Sequence, residues 1–225
     1  MKGKIKANLI LFDLGDIFFN AHKWRMWLYQ ELKRKYKISG NFRDFYLNFE
    51  DKMKNVYLGK IKYKSALINL MKDYGVKNLY EFYNESISIK NDYEAKRRLY
   101  KGVKQTIEIL KKRQKKLIIV SDNEKSGDIL YSFYCNKYSF FKNIDSFISS
   151  IDIGVTKSEK EFFEKVLKLL KFKYNVTVFI GHDKDEIESA QTLNIQTIVF
   201  NNYLKYNFIN TIHISKFEYL QNIIE

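Results

Sequence analysis

Four short stretches of the chain carry side chains able to act together on an anion. The apolar run 9–12 ends in the carboxylate of Asp13 and is followed by Gly15. A run of that length beside a glycine reads as a buried strand closing in a tight turn. In open α/β folds, ligands bind beyond the carboxyl ends of such strands. Asp13 stands at such an end; the competing reading is that it only caps its turn, as aspartate often does. A second apolar run, 117–120, ends in the hydroxyl of Ser121, with Asn123 two residues on. Lys157 follows Gly154, Val155 and Thr156 directly before an apolar-periodic stretch, and a third run, 178–180, leads through Gly181 into His182, Asp183 and Asp185. Taken singly, Ser121 reads equally as a serine bonding its own turn, and Lys157 as a surface lysine at a helix start. Together they offer an acid, a hydroxyl and an amine that separate segments could bring to one anion.

The elements that must position these groups follow from hydrophobic period. Trp24, Trp27, Leu28, Leu32 and Tyr36 give an amphipathic helix over 21–36, stopped by Ser39-Gly40-Asn41. Phe42, Phe45, Tyr46, Phe49, Met53 and Val56 predict a second over 42–58, Leu67, Leu70 and Met71 a third over 63–73, and a weaker one covers 77–88. This block has no strand signal. From about residue 100 the pattern alternates. A helix carrying Ile107 and Leu110 precedes the strand 116–121, and a helix over 125–137 precedes a short strand at Phe147 and Ile148. Then follow a helix over 158–171, the strand 176–181, a helix over 185–193, the strand 196–200, and a last short strand and helix in the tail. Such alternation predicts an α/β, Rossmann-like parallel sheet covered on both faces. No internal repeat or linker interrupts it.

In this order, carboxylate, hydroxyl, lysine and acidic loop, the chain resembles the haloacid dehalogenase-like hydrolase superfamily, helical-cap subgroup, from about residue 7 onward. The resemblance implies a catalytic core of 1–19 and 99–225 with an inserted α-helical cap at 20–98 that closes over the site. It implies a phosphatase acting on a small phosphomonoester, such as a sugar phosphate, through an aspartyl-phosphate on Asp13. Ser121 and Lys157 would complete the catalytic set, with Ser121, Asn123, Lys157 and His22 contacting substrate. Asp13, the Gly15 carbonyl and Asp183 would hold Mg2+.

Two positions depart from the family pattern. Gly15 stands where a second aspartate usually serves as general acid and base, a loss of about 10²–10⁴ in rate that matters least for anomeric, acyl or aryl phosphates. Asp16, one place later, is the carboxylate that could substitute. His182 stands where an aspartate usually helps bind the metal; an imidazole suits magnesium poorly and raises manganese as an alternative. These departures also support a second reading, a catalytically impaired relative that binds a ligand or a protein. A dehalogenase, using the same nucleophile without a metal, is a further rival.

Composition removes other classes. With 45% hydrophobic residues in 225, the chain can build a sizeable core. No apolar run approaches the roughly 18 residues of a membrane span, and the start lacks a signal peptide's apolar stretch, so a cytoplasmic protein with no membrane partner is expected. The single Cys135 excludes an internal disulfide and a cysteine-cluster metal site. The net charge of +14 comes from 40 Lys and Arg against 26 Asp and Glu. Lysines scatter through every helix, arginine occurs only at 25, 34, 43, 97, 98 and 113, and proline is absent. This pattern reads as AT-rich coding bias rather than as a nucleic-acid surface. No nucleophile-elbow serine, P-loop or GxGxxG is present, and oligomeric state is not legible.

Overall fold

The computed structural model of the protein describes residues 4–225. In chain order the elements are β1 (Leu9–Asp13), α1 (Lys23–Tyr36), α2 (Phe42–Tyr57), α3 (Tyr63–Asp73), α4 (Leu79–Ala95), α5 (Val103–Lys112), β2 (Lys116–Ser121), α6 (Gly127–Lys137), β3 (Ser146–Ser149), α7 (Ser150–Ile153), α8 (Lys160–Leu170), β4 (Thr177–Gly181), α9 (Lys184–Thr192), β5 (Gln196–Phe200), β6 (Ile212–Ile214) and α10 (Leu220–Ile223). They divide into two compact units, one of residues up to Phe19 with Leu99–Glu225, the other Asn20–Arg98.

The first unit is a six-stranded sheet, all parallel, in the order β3-β2-β1-β4-β5-β6. All five residues of β1 are buried, as a strand covered on both faces requires. Leu9 and Leu11 of β1 and Ile118 and Val120 of β2 share one face with Phe162, Phe163, Val166, Phe179 and Ile187. The opposite face is aromatic: Phe12 stacks on Phe217 with centroids 6.0 Å apart, and Phe18 lies 5.5 Å from Phe217 and 5.4 Å from Phe141. The chain works outward from β1 through β2 to β3, then returns to β1's other side as β4. That reversal opens a crevice at the strands' carboxyl ends. In register, Asp13 lies level with Val120 and Phe12 level with Ile180. Asp13, Ser121 and His182 therefore emerge at the same end of three adjacent strands.

The loops at that end are held by short polar contacts. Asp152 Oδ2 accepts the N–H groups of Ser149 at 2.9 Å and Gly127 at 2.8 Å, tying α7 to the start of α6. Gly127 must approach β3 this closely, because a Cβ there would sit 2.0 Å from the Phe147 carbonyl oxygen. Gly127→Ala is expected to cost about 3 kcal/mol or more, since backbone and not a flexible side chain has to give. A denaturant midpoint unchanged from wild type would refute that packing.

Phe19 forms an antiparallel bridge with Leu99, and the N–H of Tyr100 donates to the Phe18 carbonyl at 2.9 Å. The segments on either side of residues 20–98 are thus joined within the sheet unit.

The second unit is four helices around Trp24, Leu28, Leu32, Phe45, Phe49, Met53, Leu67, Leu70, Met71 and Phe82. Asn41 and Asp44 form a reciprocal capping box at the start of α2. Helix α4 runs to Ala95, beyond the expected end at 88. The apolar period fades after Ile87, yet no breaker follows, and Lys90 and Glu94 pair across one turn at 2.7 Å. The four-residue α7 escaped the sequence reading because one turn has no measurable period. Among the described residues no helix is long and apolar enough to cross a membrane.

Candidate active site

The end of β1 delivers Asp13 into a nearly closed environment, 5% exposed, and the turn before α8 delivers Lys157, 2% exposed. The Lys157 ammonium donates to Asp13 Oδ1 in a short contact and to Glu186 Oε2 at 2.9 Å. The other Asp13 oxygen, Oδ2, lies 3.3 Å from His182 Nε2. On the far edge of the same ring, Nδ1 lies 3.4 Å from Asp183 Oδ1. Asp13 thus sits between two nitrogens from different segments.

The electrostatics follow from burial set against these partners. Burial alone would raise the Asp13 carboxyl, but the charge of Lys157 and the contact with His182 outweigh it and hold Asp13 below the ordinary carboxylate range. Burial opposes the charge of Lys157 too, yet Asp13, Glu186 and Asp122 keep it firmly an ammonium. For His182, burial is overcome by Asp183 and Asp13, so its pKa is raised well above the usual histidine value. Glu186 goes the other way. Burial, with the nearby Asp13, Asp183 and Asp122, raises it well above 4.5 despite Lys157. The one ammonium is thus shared by two buried acids, Asp13 and Glu186.

Three of the expected residues share one end of the sheet unit: Asp13, Ser121 and Lys157. Ser121 is buried, one step beyond the register partner of Asp13. Asn123 helps shape its loop: its side-chain oxygen accepts the Lys125 N–H at 3.0 Å, and its own N–H donates to Ser150 Oγ at 3.0 Å. His22 belongs to the helical unit, half-buried before α1, with its carbonyl accepting the Met26 N–H at 2.9 Å. Asp185 is exposed on α9.

Where a cation between Asp13, the Gly15 carbonyl and Asp183 is expected, the structure sets an imidazole between the two acids. Among the described residues no group of three His, Cys, Asp or Glu side chains is placed to hold a metal ion. The His182 ring lies between Asp13 and Asp183, and Gly15 pairs with Phe19 in an isolated bridge.

Two carboxylates at this site, Glu186 and Asp122, were not singled out from sequence as parts of it. Glu186 reads as one more solvated acid on α9, although it falls one helical turn after His182 and Asp183. Asp122 looks like a turn residue; its carboxylate accepts the Lys157 N–H at 3.1 Å and so fixes the lysine's backbone. Asp16, weighed only as a substitute acid, is fully buried at φ 56°, a left-handed conformation that aspartate tolerates, and Tyr203 Oη donates to its Oδ2 at 3.4 Å.

Burial pushes Asp122 up to about 6, with Lys157 pulling back and Asp13 and Asp183 adding to the rise. Its folded value exceeds its unfolded one, so its contribution to stability is complete below about pH 4 and is lost as pH rises through about 6. Asp122→Asn keeps an acceptor for the Lys157 N–H and removes the charge. That variant is expected to be more stable than wild type by about 1–3 kcal/mol at pH 7.5 and no more stable at pH 4. Denaturant melts at both values check it; an equal difference at the two pH values would refute it.

Comparison with known proteins identifies the family and the fold. The family model for haloacid dehalogenase-like hydrolases matches residues 10–200, and the chain belongs to that family. The fold is that of several solved structures. L-2-haloacid dehalogenase from Xanthobacter autotrophicus, with chloropropionic acid covalently bound, is 12% identical at a TM-score of 0.66, over 96% of this chain and 97% of that one. YfnB from Bacillus subtilis, described as a HAD-hydrolase bound to magnesium, is 20% identical at 0.63, over 97% and 98%. A HAD phosphatase from Thermococcus onnurineus is 20% identical at 0.59, over 97% of each chain. No curated protein sequence matches the chain.

Proposed function

We propose that the protein hydrolyses a small phosphomonoester through a covalent aspartyl-phosphate on Asp13. The observation that carries this reading is a buried carboxylate held ionised by a buried ammonium at the carboxyl end of the central strand. An Asp13 oxygen attacks phosphorus, the ester P–O bond breaks, and the leaving group departs with its electron pair. Water then attacks the acyl phosphate, which restores the carboxylate and releases inorganic phosphate. Lys157 neutralises the nucleophile and the transferred group, and the Ser121 hydroxyl donates to a phosphoryl oxygen. With glycine at position 15, a leaving group that needs no proton is favoured, namely an acyl, aryl or anomeric phosphate. The phosphatase among the similar structures supports this direction.

A second reading has its own support. With His182 against Asp13, the same carboxylate could attack a halogen-bearing carbon, forming an ester and expelling halide before hydrolysis. A relative carrying covalently bound chloropropionic acid has the same fold. A panel of phosphomonoesters and 2-haloacids, read for inorganic phosphate and for free halide, separates the two. Phosphate release supports the first, and halide release without phosphate replaces it with the second. Saturable binding of a phosphomonoester without release of either product selects a non-catalytic binding protein.

A further inference from the structure

The acidic loop after β4 carries a side chain where the family's pattern calls for a ligand to a cation. His182 is 5% exposed, with Nε2 3.3 Å from Asp13 and Nδ1 3.4 Å from Asp183. Tyr203 lies against the ring with centroids 5.6 Å apart, and its hydroxyl is engaged by Asp16 on the β1 side. The imidazole therefore stands between Asp13 and Asp183 with Tyr203 against it, filling the space between two carboxylates that would otherwise share a metal.

We propose that the His182 imidazole permanently takes the place of a divalent cation at Asp13, so that side chains alone orient the nucleophile and the site is independent of metal. The two ring nitrogens face the two acids from opposite edges, 3.3 Å from Asp13 and 3.4 Å from Asp183, while Lys157 serves the remaining Asp13 oxygen. A magnesium ion needs oxygen ligands at about 2.0–2.1 Å in near-octahedral array; here the ring occupies the approach and offers nitrogen. An imidazole carries at most one positive charge where magnesium carries two, so less charge can be countered in the transition state. That limit selects the same substrates as Gly15 does, those with good leaving groups. The catalytic consequence rests on Asp13 acting as the nucleophile; the replacement of the cation rests on the geometry of residues 13, 182 and 183.

The test is melting of the chelator-treated protein, wild type and His182→Asp, with and without magnesium chloride. For wild type, about 10 mM magnesium is expected to move the midpoint by less than about 1 °C. His182→Asp is expected to gain a rise of about 3 °C, matching a newly made millimolar site. A saturable rise of that size in wild type overturns the proposal, and so does a folded His182→Asp protein indifferent to magnesium. Should that variant not fold, the wild-type titration decides alone. In parallel, hydrolysis of p-nitrophenyl phosphate by chelated wild type is expected to be unchanged by magnesium, and stimulation of about tenfold would also overturn it. Absence of hydrolysis together with magnesium-insensitive melting would remove the phosphatase reading and leave the cation's replacement standing.

Discussion

Asp13→Asn is expected to lower turnover by at least about 10⁴-fold, the scale seen when a covalent nucleophile is removed from a catalytic group acting as a unit. The size follows from the role. An amide oxygen is a far weaker nucleophile than a carboxylate, and no other carboxylate shares its place at the end of the central strand. The protein should remain folded, because the asparagine oxygen can still accept from Lys157 and a neutral His182 can accept from the new amide. The measurement is product release on the best substrate of the panel, beside a circular dichroism spectrum to establish folding. Residual turnover above about 1% of wild type in a folded sample would remove Asp13 from the chemistry and the proposed mechanism with it.

The largest effect on stability belongs to Lys157→Met. Methionine preserves most of the volume, so what is lost is charge. Asp13 and Glu186 would remain buried without their shared donor, and removing one partner from a buried ionic cluster costs about 3–5 kcal/mol. Against a total stability of about 5–15 kcal/mol for a typical domain, that is a large fraction. The sign with pH is also fixed. The lysine holds Asp13 below its ordinary value, so its benefit to Asp13 is present above about pH 4 and disappears as pH falls and the carboxyls take up protons. The difference between wild type and Lys157→Met in denaturant melts should therefore be several-fold larger at pH 7 than at pH 4. A difference independent of pH would mean that the lysine stabilises through packing of its stem rather than through charge.

Much of the architecture was legible because burial on both faces turns strands into unbroken apolar runs. The runs at 9–12, 117–120 and 178–180 gave the three central strands to within a residue. The placement of Asp13, Ser121 and Lys157 at one end then follows from parallel topology alone. What could not be read was what each group touches. Asp122 and Glu186 are two acids among 26 Asp and Glu residues, and nothing in their spacing separates a buried acid from a solvated one until the loop folds. His182 was recognised as a departure, but whether an imidazole at that place coordinates a metal or displaces it depends on ring orientation, which no sequence pattern encodes. Nor does the sequence show that the Asn123 side-chain oxygen is used within its own turn, where it accepts the Lys125 N–H.

The bridge between Phe19 and Leu99 bears on how this molecule tolerates change over time. Departing and returning segments are fastened to each other inside the sheet unit, so residues 20–98 form an excursion whose two ends are already closed. Closure entropy grows only logarithmically, about 0.6 kcal/mol for each doubling of loop length. The length of that excursion therefore weighs little on closing the bridge, whereas deleting one of its helices would open the core that all four share. Change in the inserted block is thereby separated from the closing of the bridge beside the strands that carry Asp13, Ser121 and His182.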